Sequence, residues 1–226
     1  MLYLILITVF LRNTTHTATI ELQEMIMKKS FLEAEKIFQE HHGILRSGQA
    51  KQYGIDTKTI TDMYNAGILE RLGRGLYRLY TLPPLHYPDL VQVAIKVPKA
   101  VICLLSALAF HNLTTEIPQK IHIALPQSVR QPRFAYPPLD IVWLSEVPYT
   151  AGIEKHQLDG VEVSIYAASK TVADCFKFRN KIGKTVAIEA LKTYVKSADA
   201  DFNELLYHAR INRVETVLRP YLEAVL

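Results

Sequence analysis

The sequence predicts an α+β chain in two parts. A small N-terminal unit of three helices is closed by a β-hairpin. A larger unit follows, with helices, a small mostly antiparallel sheet and a helical C-terminal end. Three observations carry this. Apolar residues recur at helical spacing between Ser30 and Gly67, interrupted by glycines at Gly43, Gly54 and Gly67. Alternating apolar and polar residues flank Gly73-Arg74-Gly75 and again Asp159-Gly160, which are hairpin signals. A proline-rich stretch from Thr81 to Pro88 separates the two patterns. The 226 residues are 49% apolar and 21% charged, a globular balance with enough apolar material for at least one sizeable core.

Within the first part, taken as residues 30–82, Ser30 with Glu33 makes a capping box that opens a helix. Phe31, Ala34, Ile37 and Phe38 give that helix its apolar face, and Gly43 ends it. A second short helix runs from Ser47 to Gln52, with Ala50 and Tyr53 turned inward, and Gly54 stops it. A third starts near Asp56 or Thr57 and reaches Ala66, with Ile60, Met63 and Tyr64 on its apolar side. Two short strands around Gly73-Arg74-Gly75 complete the unit. Three helices and a hairpin in about 50 residues, with a four-residue turn between the second and third helices, is the winged helix-turn-helix plan.

A helix of that kind fits the major groove of double-stranded DNA, with its N-terminal residues at base edges. The third helix offers Thr57, Lys58, Thr59, Thr61, Asp62 and Asn65, of which Lys58 and Thr61 are the leading groove contacts. Arg74 at the hairpin tip is placed to meet a phosphate or the minor groove, and Lys51 and Arg71 to hold the backbone. Between Ile44 and Arg78, Arg46, Lys51, Lys58, Arg71, Arg74 and Arg78 face Asp56, Asp62 and Glu70. That excess, and the net charge of +4, are modest. A unit of this shape also serves to bind protein, and Tyr64, Leu69, Leu72, Tyr77 and Leu79 read as core. His41 and His42 read as helix-end or solvated residues.

Residues 1–29 stand apart as a flank. The apolar run from Met1 to Leu11 is shorter than the roughly 20 residues a membrane span needs. No positive residues precede it as in a signal peptide. It reads as a flank, as an extra element packed on the body, or as sequence upstream of a start at Met25 or Met27. The expectation is a cytoplasmic protein without a membrane anchor. Cys103 and Cys175 sit in apolar surroundings and read as buried thiols.

The second part, residues 88–226, begins with helices over DLVQVAIKV and PKAVICLLSALAFHNL, the latter with Pro98 in its first turn. Strands follow over KIHIALP and LDIVWLS, then a hairpin turning at Asp159-Gly160. The loop between the first two strands carries Arg130, Arg133, Phe134 and Tyr136, a mixture suited to nucleic acid, protein or neither. Helices then run from Ser169 to Ile182 and from Thr185, followed by one starting near Asp201 or Asn203 and a last one interrupted by Pro220.

Catalytic signatures are weak. GKT at Gly183 to Thr185 lacks the upstream glycine of a phosphate-binding loop, and neither a zinc-protease helix nor a nucleophile elbow occurs. No Cys or His has metal-ligand spacing. The one enzymatic alternative is a nuclease-like site built from Asp140 and Glu162 with Lys170 and Lys177. The expectation is a protein that is not an enzyme and needs no cofactor.

The stretch GILRSGQAKQYGIDTKTITDMYNAGILERLGRGLYRL resembles the N-terminal domain of AbiEi-type antitoxins, transcriptional regulators of abortive-infection toxin–antitoxin modules, and SKTVADCFKFRNKIG is similar to a second signature of that family. The resemblance spans about residues 31–226. It implies a repressor of its own promoter, often at inverted repeats, with a reading helix from Thr57 to Ala66 and a wing from Leu72 to Tyr77. It also implies a second domain that helps neutralise a nucleotidyltransferase-like toxin. The helix from Thr171 to Gly183 falls in that domain, which makes Lys177, Arg179, Asn180 and Lys181 the candidate partner contacts. A homodimer on the DNA is expected on the same grounds.

Overall fold

The computed structural model describes residues 27–133 and 136–226. The apolar run at Met1 to Leu11 and the loop residue Phe134 therefore lie outside the described residues. The chain divides into two compact units, one ending at Pro84 and one running from Leu85 to Leu226.

The first unit opens with a helix over residues 27–40, α1. Ser30 is already inside it and donates its hydroxyl to the Met27 carbonyl at 2.9 Å, so it does not cap the helix as its spacing to Glu33 predicts. The chain then forms β1 (Ile44–Arg46), α2 (Ser47–Gln52), α3 (Thr57–Asn65), β2 (Leu69–Gly73) and β3 (Leu76–Leu79). β1 is a strand the sequence reading lacks. Three residues show too little alternation to register alone, and β1 exists because Ile44, Leu45 and Arg46 pair antiparallel with Arg78, Tyr77 and Leu76. The result is a three-stranded sheet in the order β1-β3-β2. Its core is Phe38, Ala50, Ile60, Met63, Leu69 and Leu79, all buried. Tyr53 does not point inward: it is 45% exposed and stacks on the His41 ring at 4.2 Å. Tyr64 is exposed to the same degree, with its edge toward the Tyr77 ring.

The second unit holds α4 (Pro88–Lys96), β4 (Val101–Ile102), α5 (Leu104–Phe110), β5 (Ile121–Pro126), β6 (Leu139–Leu144), α6 (Glu146–Thr150), β7 (Ile153–Leu158) and β8 (Val161–Tyr166). It ends with α7 (Ala168–Lys177), α8 (Arg179–Ile182), α9 (Lys184–Val195), α10 (Phe202–Ile211) and α11 (Glu215–Val225). The five-stranded sheet has the order β6-β5-β4-β8-β7. It is mixed rather than mostly antiparallel, because β5–β6 and β4–β8 pair parallel while β4–β5 and β7–β8 pair antiparallel. The cause is β4. It was expected inside a helix starting at Pro98, yet Val101 and Ile102 slot between β5 and β8 and the helix begins only at Leu104. Tertiary pairing on both sides overrides a sequence that is apolar enough for either state.

Side chains alternate across this sheet as strand geometry requires. Val101, Ala124 and Tyr166 face a cluster with α7, α9, α10 and α11. Their neighbours Ile102, Ile123 and Ile165 face α4. Both faces of the central strands are thus covered, which explains their nearly continuous apolar sequence. The helix predicted from Ser169 to Ile182 is two helices. The Arg179 guanidinium donates to the Phe176 carbonyl at 2.8 Å, taking an acceptor that a continuous helix would give to Asn180. The chain breaks at Phe178 and restarts as α8. Cys103 and Cys175 are buried free thiols, both pushed well up from their ordinary pKa by burial. Among the described residues, no helix is long and apolar enough to cross a membrane.

Candidate nucleic-acid interface

α3 is held at its start by Asp56, whose carboxylate accepts the Thr59 N–H at 2.6 Å. That bond also holds the Asp56 carboxyl below its ordinary pKa. Ile60 and Met63 anchor the helix in the core. The opposite face carries Lys58, Thr61, Asp62 and Asn65, spaced i, i+3, i+4 and i+7, so they form one outward row. Lys58, Thr61 and Asn65 are exposed, and Asp62 is half-buried. Thr61 donates its hydroxyl to the Thr57 carbonyl at 2.9 Å, leaving its lone pairs as acceptors. Thr57 is exposed at the helix start, to one side of this row. Thr59 is half-buried and off the row, so of the α3 candidates it is the one least presented.

The hairpin β2–β3 is fixed to the same unit at both ends. Ser47 at the start of α2 donates its N–H to the Gly75 carbonyl at 2.8 Å. Gly75 has φ +67, and a Cβ there would stand 3.0 Å from the Ser47 hydroxyl, so both backbone and space ask for glycine. At the base, Arg78 is buried and its guanidinium binds both the Glu70 carboxylate and the Pro83 carbonyl. Arg78 is therefore a brace rather than part of a basic surface. Arg71 is exposed and donates its Nε to the Gly73 carbonyl at 3.1 Å, across the register shift between Arg71 and Gly73. Arg74 is exposed at the tip, and Lys51 is exposed in the last turn of α2.

The four candidate partner contacts of the second unit are less uniform. Lys177 is half-buried, with its pKa lowered chiefly by burial, and Arg179 is committed to the Phe176 carbonyl. Asn180 is exposed, and Lys181 is paired with Asp140. Lys177 lines a pocket of about 590 Å³ together with Arg213, a residue that sequence reasoning did not single out. Nothing in a lone arginine after a helix end signals such a role.

The nuclease-like alternative fails on topology. β6 and β8 are separated by β5 and β4, which puts Asp140 and Glu162 at least roughly 14 Å apart at ordinary strand spacing, before their offset along the strands is added. Asp140 is paired with Lys181, Glu162 with Lys155 at 2.7 Å, and Lys170 is fully buried against Asp174. A row of Ser106, His122 and Asp140 is the other arrangement that invites a catalytic reading. Ser106 Oγ lies 3.4 Å from His122 Nδ1, and His122 Nε2 lies 3.9 Å from Asp140 Oδ2. Ser106 is only 4% exposed, however, and its hydroxyl already accepts the His122 N–H at 2.9 Å. It pins β5 to α5 and offers no reachable nucleophile. Burial holds the His122 pKa down, against the nearby Asp140. Among the described residues, no group of three or more His, Cys, Asp or Glu is placed to hold a metal.

The molecule is thus an α+β protein. Helices and a small three-stranded sheet come first, in an order consistent with a winged helix-turn-helix-like unit, and a five-stranded sheet with C-terminal helices follows. Residues 33–80 match the family described as transcriptional regulator, AbiEi antitoxin. That match supports a general role as an antitoxin or transcriptional regulator. It lies within the first unit, and the SKTVADCFKFRNKIG segment lies outside it. The fold is similar to the crystal structure of the RV2827C protein from Mycobacterium tuberculosis. The TM-score is 0.51 at 10% identity, covering 84% of this chain and 79% of that one. At that identity the likeness concerns the fold alone. Comparison with curated proteins gives no match.

Proposed function

We propose that this protein is a sequence-specific DNA-binding repressor of its own promoter and the antitoxin of a toxin–antitoxin module. The observation that carries the reading is the outward row of α3, beside a braced hairpin tipped by Arg74. In this reading α3 enters the major groove, with Lys58 and Thr61 at base edges and Asn65 and Thr57 flanking them. Arg74 takes a phosphate or the adjacent minor groove, and Lys51 and Arg71 take phosphates. Thr59 supports the helix more than the contact. Asp62 accepts from a cytosine amino group or orients its neighbours. A repressor of this build acts as a dimer on an inverted repeat. The second unit meets a nucleotidyltransferase-like toxin through the region of Lys177, Arg179, Asn180 and Lys181. The first unit, taken as residues 30–82, does the DNA binding, and residues 88–226 do the neutralising, in the cytoplasm.

The test is fluorescence anisotropy of the full chain with DNA from upstream of its own gene, against scrambled DNA, over a range of salt. Tight binding to the upstream DNA alone, weakening with salt, is expected. Arg74→Ala should reduce the slope of log affinity against log salt by roughly 0.9, the value of one phosphate contact. Lys58→Ala should cost about 1–3 kcal/mol on the operator and little on scrambled DNA. Equal, weak binding to both DNAs would move the function of the first unit to protein interaction.

A further inference from the structure

The pocket lies within the second unit, and its walls are chemically uneven. Ser145, Val147 and Pro148 form one side, at and beside α6. Lys177 at the end of α7 lines it too, with Ile211 from the end of α10 and Arg213 from the turn before α11. Asn212 lies in the floor, 4% exposed, and its Nδ2 is fixed on the Asp174 carboxylate.

Two cations share this space without a counter-ion. Neither Lys177 nor Arg213 makes an ion pair among the described residues, and they are close enough for Arg213 to help lower the Lys177 pKa, after burial and against Asp174. Asp174 does not neutralise them, because it is buried and binds both Lys170 and Asn212. Arg213 also holds a left-handed backbone, φ 57, at a helix end where glycine is the unstrained choice. The Ser145 hydroxyl makes no cap bond to α6, so it is open to a ligand.

We propose that this pocket binds a small organic phosphate monoester, with Lys177 and Arg213 on the phosphate and Val147, Pro148 and Ile211 against the organic part. Charge selects the phosphate. A phosphate monoester carries close to two negative charges at neutral pH and answers both cations, whereas a single carboxylate leaves one unpaired. Size selects an ester over the bare ion. A pocket of about 590 Å³ is in the range of small-molecule sites and far exceeds what inorganic phosphate fills. Arginine supplies a planar donor fork and lysine a compact charge, a pairing suited to a tetrahedral oxyanion.

The experiment is isothermal titration of the full chain at constant ionic strength with inorganic phosphate, glucose 6-phosphate and adenosine 5′-monophosphate, against chloride. Arg213→Gly is the primary variant, because glycine relieves the left-handed backbone and the protein should fold at least as well. Lys177→Gln is the second, and Lys192→Gln, an exposed lysine on α9, is the control. Saturable binding of at least one ester is expected, tighter than that of inorganic phosphate. Each of the two pocket variants should weaken it about tenfold or more, and the control should leave it unchanged. No saturable binding, or binding indifferent to Arg213→Gly and Lys177→Gln, would overturn the site. Equal weakening by Lys192→Gln would reduce it to general surface charge. Inorganic phosphate binding as tightly as both esters would overturn the assignment of an organic ligand.

Discussion

Lys170 is fully buried, and its ammonium meets the Asp174 carboxylate one helical turn away, 4.4 Å above the Tyr166 ring. Its stem is hemmed in: a Cβ on Gly152 would come within 2.8 Å of Lys170 Cβ and 2.9 Å of the His208 ring. Lys170→Met keeps the stem and removes the charge. Asp174 would then stay buried with only the Asn212 amide to answer it. An uncompensated buried charge of that kind costs about 3–5 kcal/mol, a shift of roughly 6–20 °C in midpoint for a unit of this size. The protein carries a single tryptophan, Trp143, on β6 of the same unit. Its indole donates to the Val129 carbonyl at 3.0 Å, so its fluorescence in a urea titration reports the unfolding of this unit. The double variant Lys170→Met with Asp174→Asn removes both charges and keeps an acceptor for Asn212. It should recover more than half of the loss. A single variant within about 1 kcal/mol of the parent, or a double variant no better than the single one, would refute the claim that this pair works as a buried ion pair.

Other perturbations follow from the same geometry. His208 is buried, with neither ring nitrogen hydrogen-bonded and the Glu204 carboxylate 3.8 Å from Nε2, and burial lowers its pKa from the ordinary 6.5, with Lys170 adding to the effect and Glu204 and Asp174 opposing it. The unfolded chain therefore binds the proton first, and stability is fully present above about 6.5 and falls as pH drops from there toward the folded value. Trp143-monitored urea titrations should lose up to about 1.4 kcal/mol per pH unit from this one group, and His208→Leu should flatten that part of the profile. Glu70→Ala strips the buried Arg78 of its carboxylate and should cost the first unit about 1–3 kcal/mol, read by circular dichroism. Gly75→Val strains a positive-φ position against Ser47. It should weaken operator binding more than it lowers stability if hairpin placement is what matters.

The elements that the sequence showed plainly are those whose signals are local. α3 has an N-cap, an apolar pair three apart and a closing glycine, and the β7–β8 hairpin has Asp159-Gly160 between two alternating strands, where Asp159 further caps the turn into α4 by accepting from the His86 and Tyr87 N–H groups. β1 and β4 were hidden because neither strand is long enough to carry a period, and each exists only through partners distant in sequence. The break at Phe178 depends on one arginine taking one carbonyl, which no spacing encodes. The candidate site was legible to the same extent. The outward row of α3 follows from helical period alone. That Arg78 is a brace, that Thr59 is half-buried, and that Arg213 faces Lys177 in a pocket required the fold.

Pairing tells more than charge count does about where this protein can meet a polyanion. Between Ile44 and Arg78 the one buried arginine, Arg78, is neutralised by Glu70, and the other cations, Arg46, Lys51, Lys58, Arg71 and Arg74, are all at the surface. Of the other two acids in that stretch, the Asp56 carboxylate is turned to the helix backbone and Asp62 is half-buried. The net charge of +4 over the whole chain conceals this sorting. The second unit sorts its charges in the opposite way. Lys155, Lys170 and Lys181 are each tied to a carboxylate, and Arg210 and Arg219 share Glu215. Lys177 and Arg213, by contrast, line one pocket together and neither makes an ion pair among the described residues. A buried lysine that keeps Asp174 occupied helps leave them so, which makes the Lys170–Asp174 pair a determinant of the pocket's charge as well as of stability.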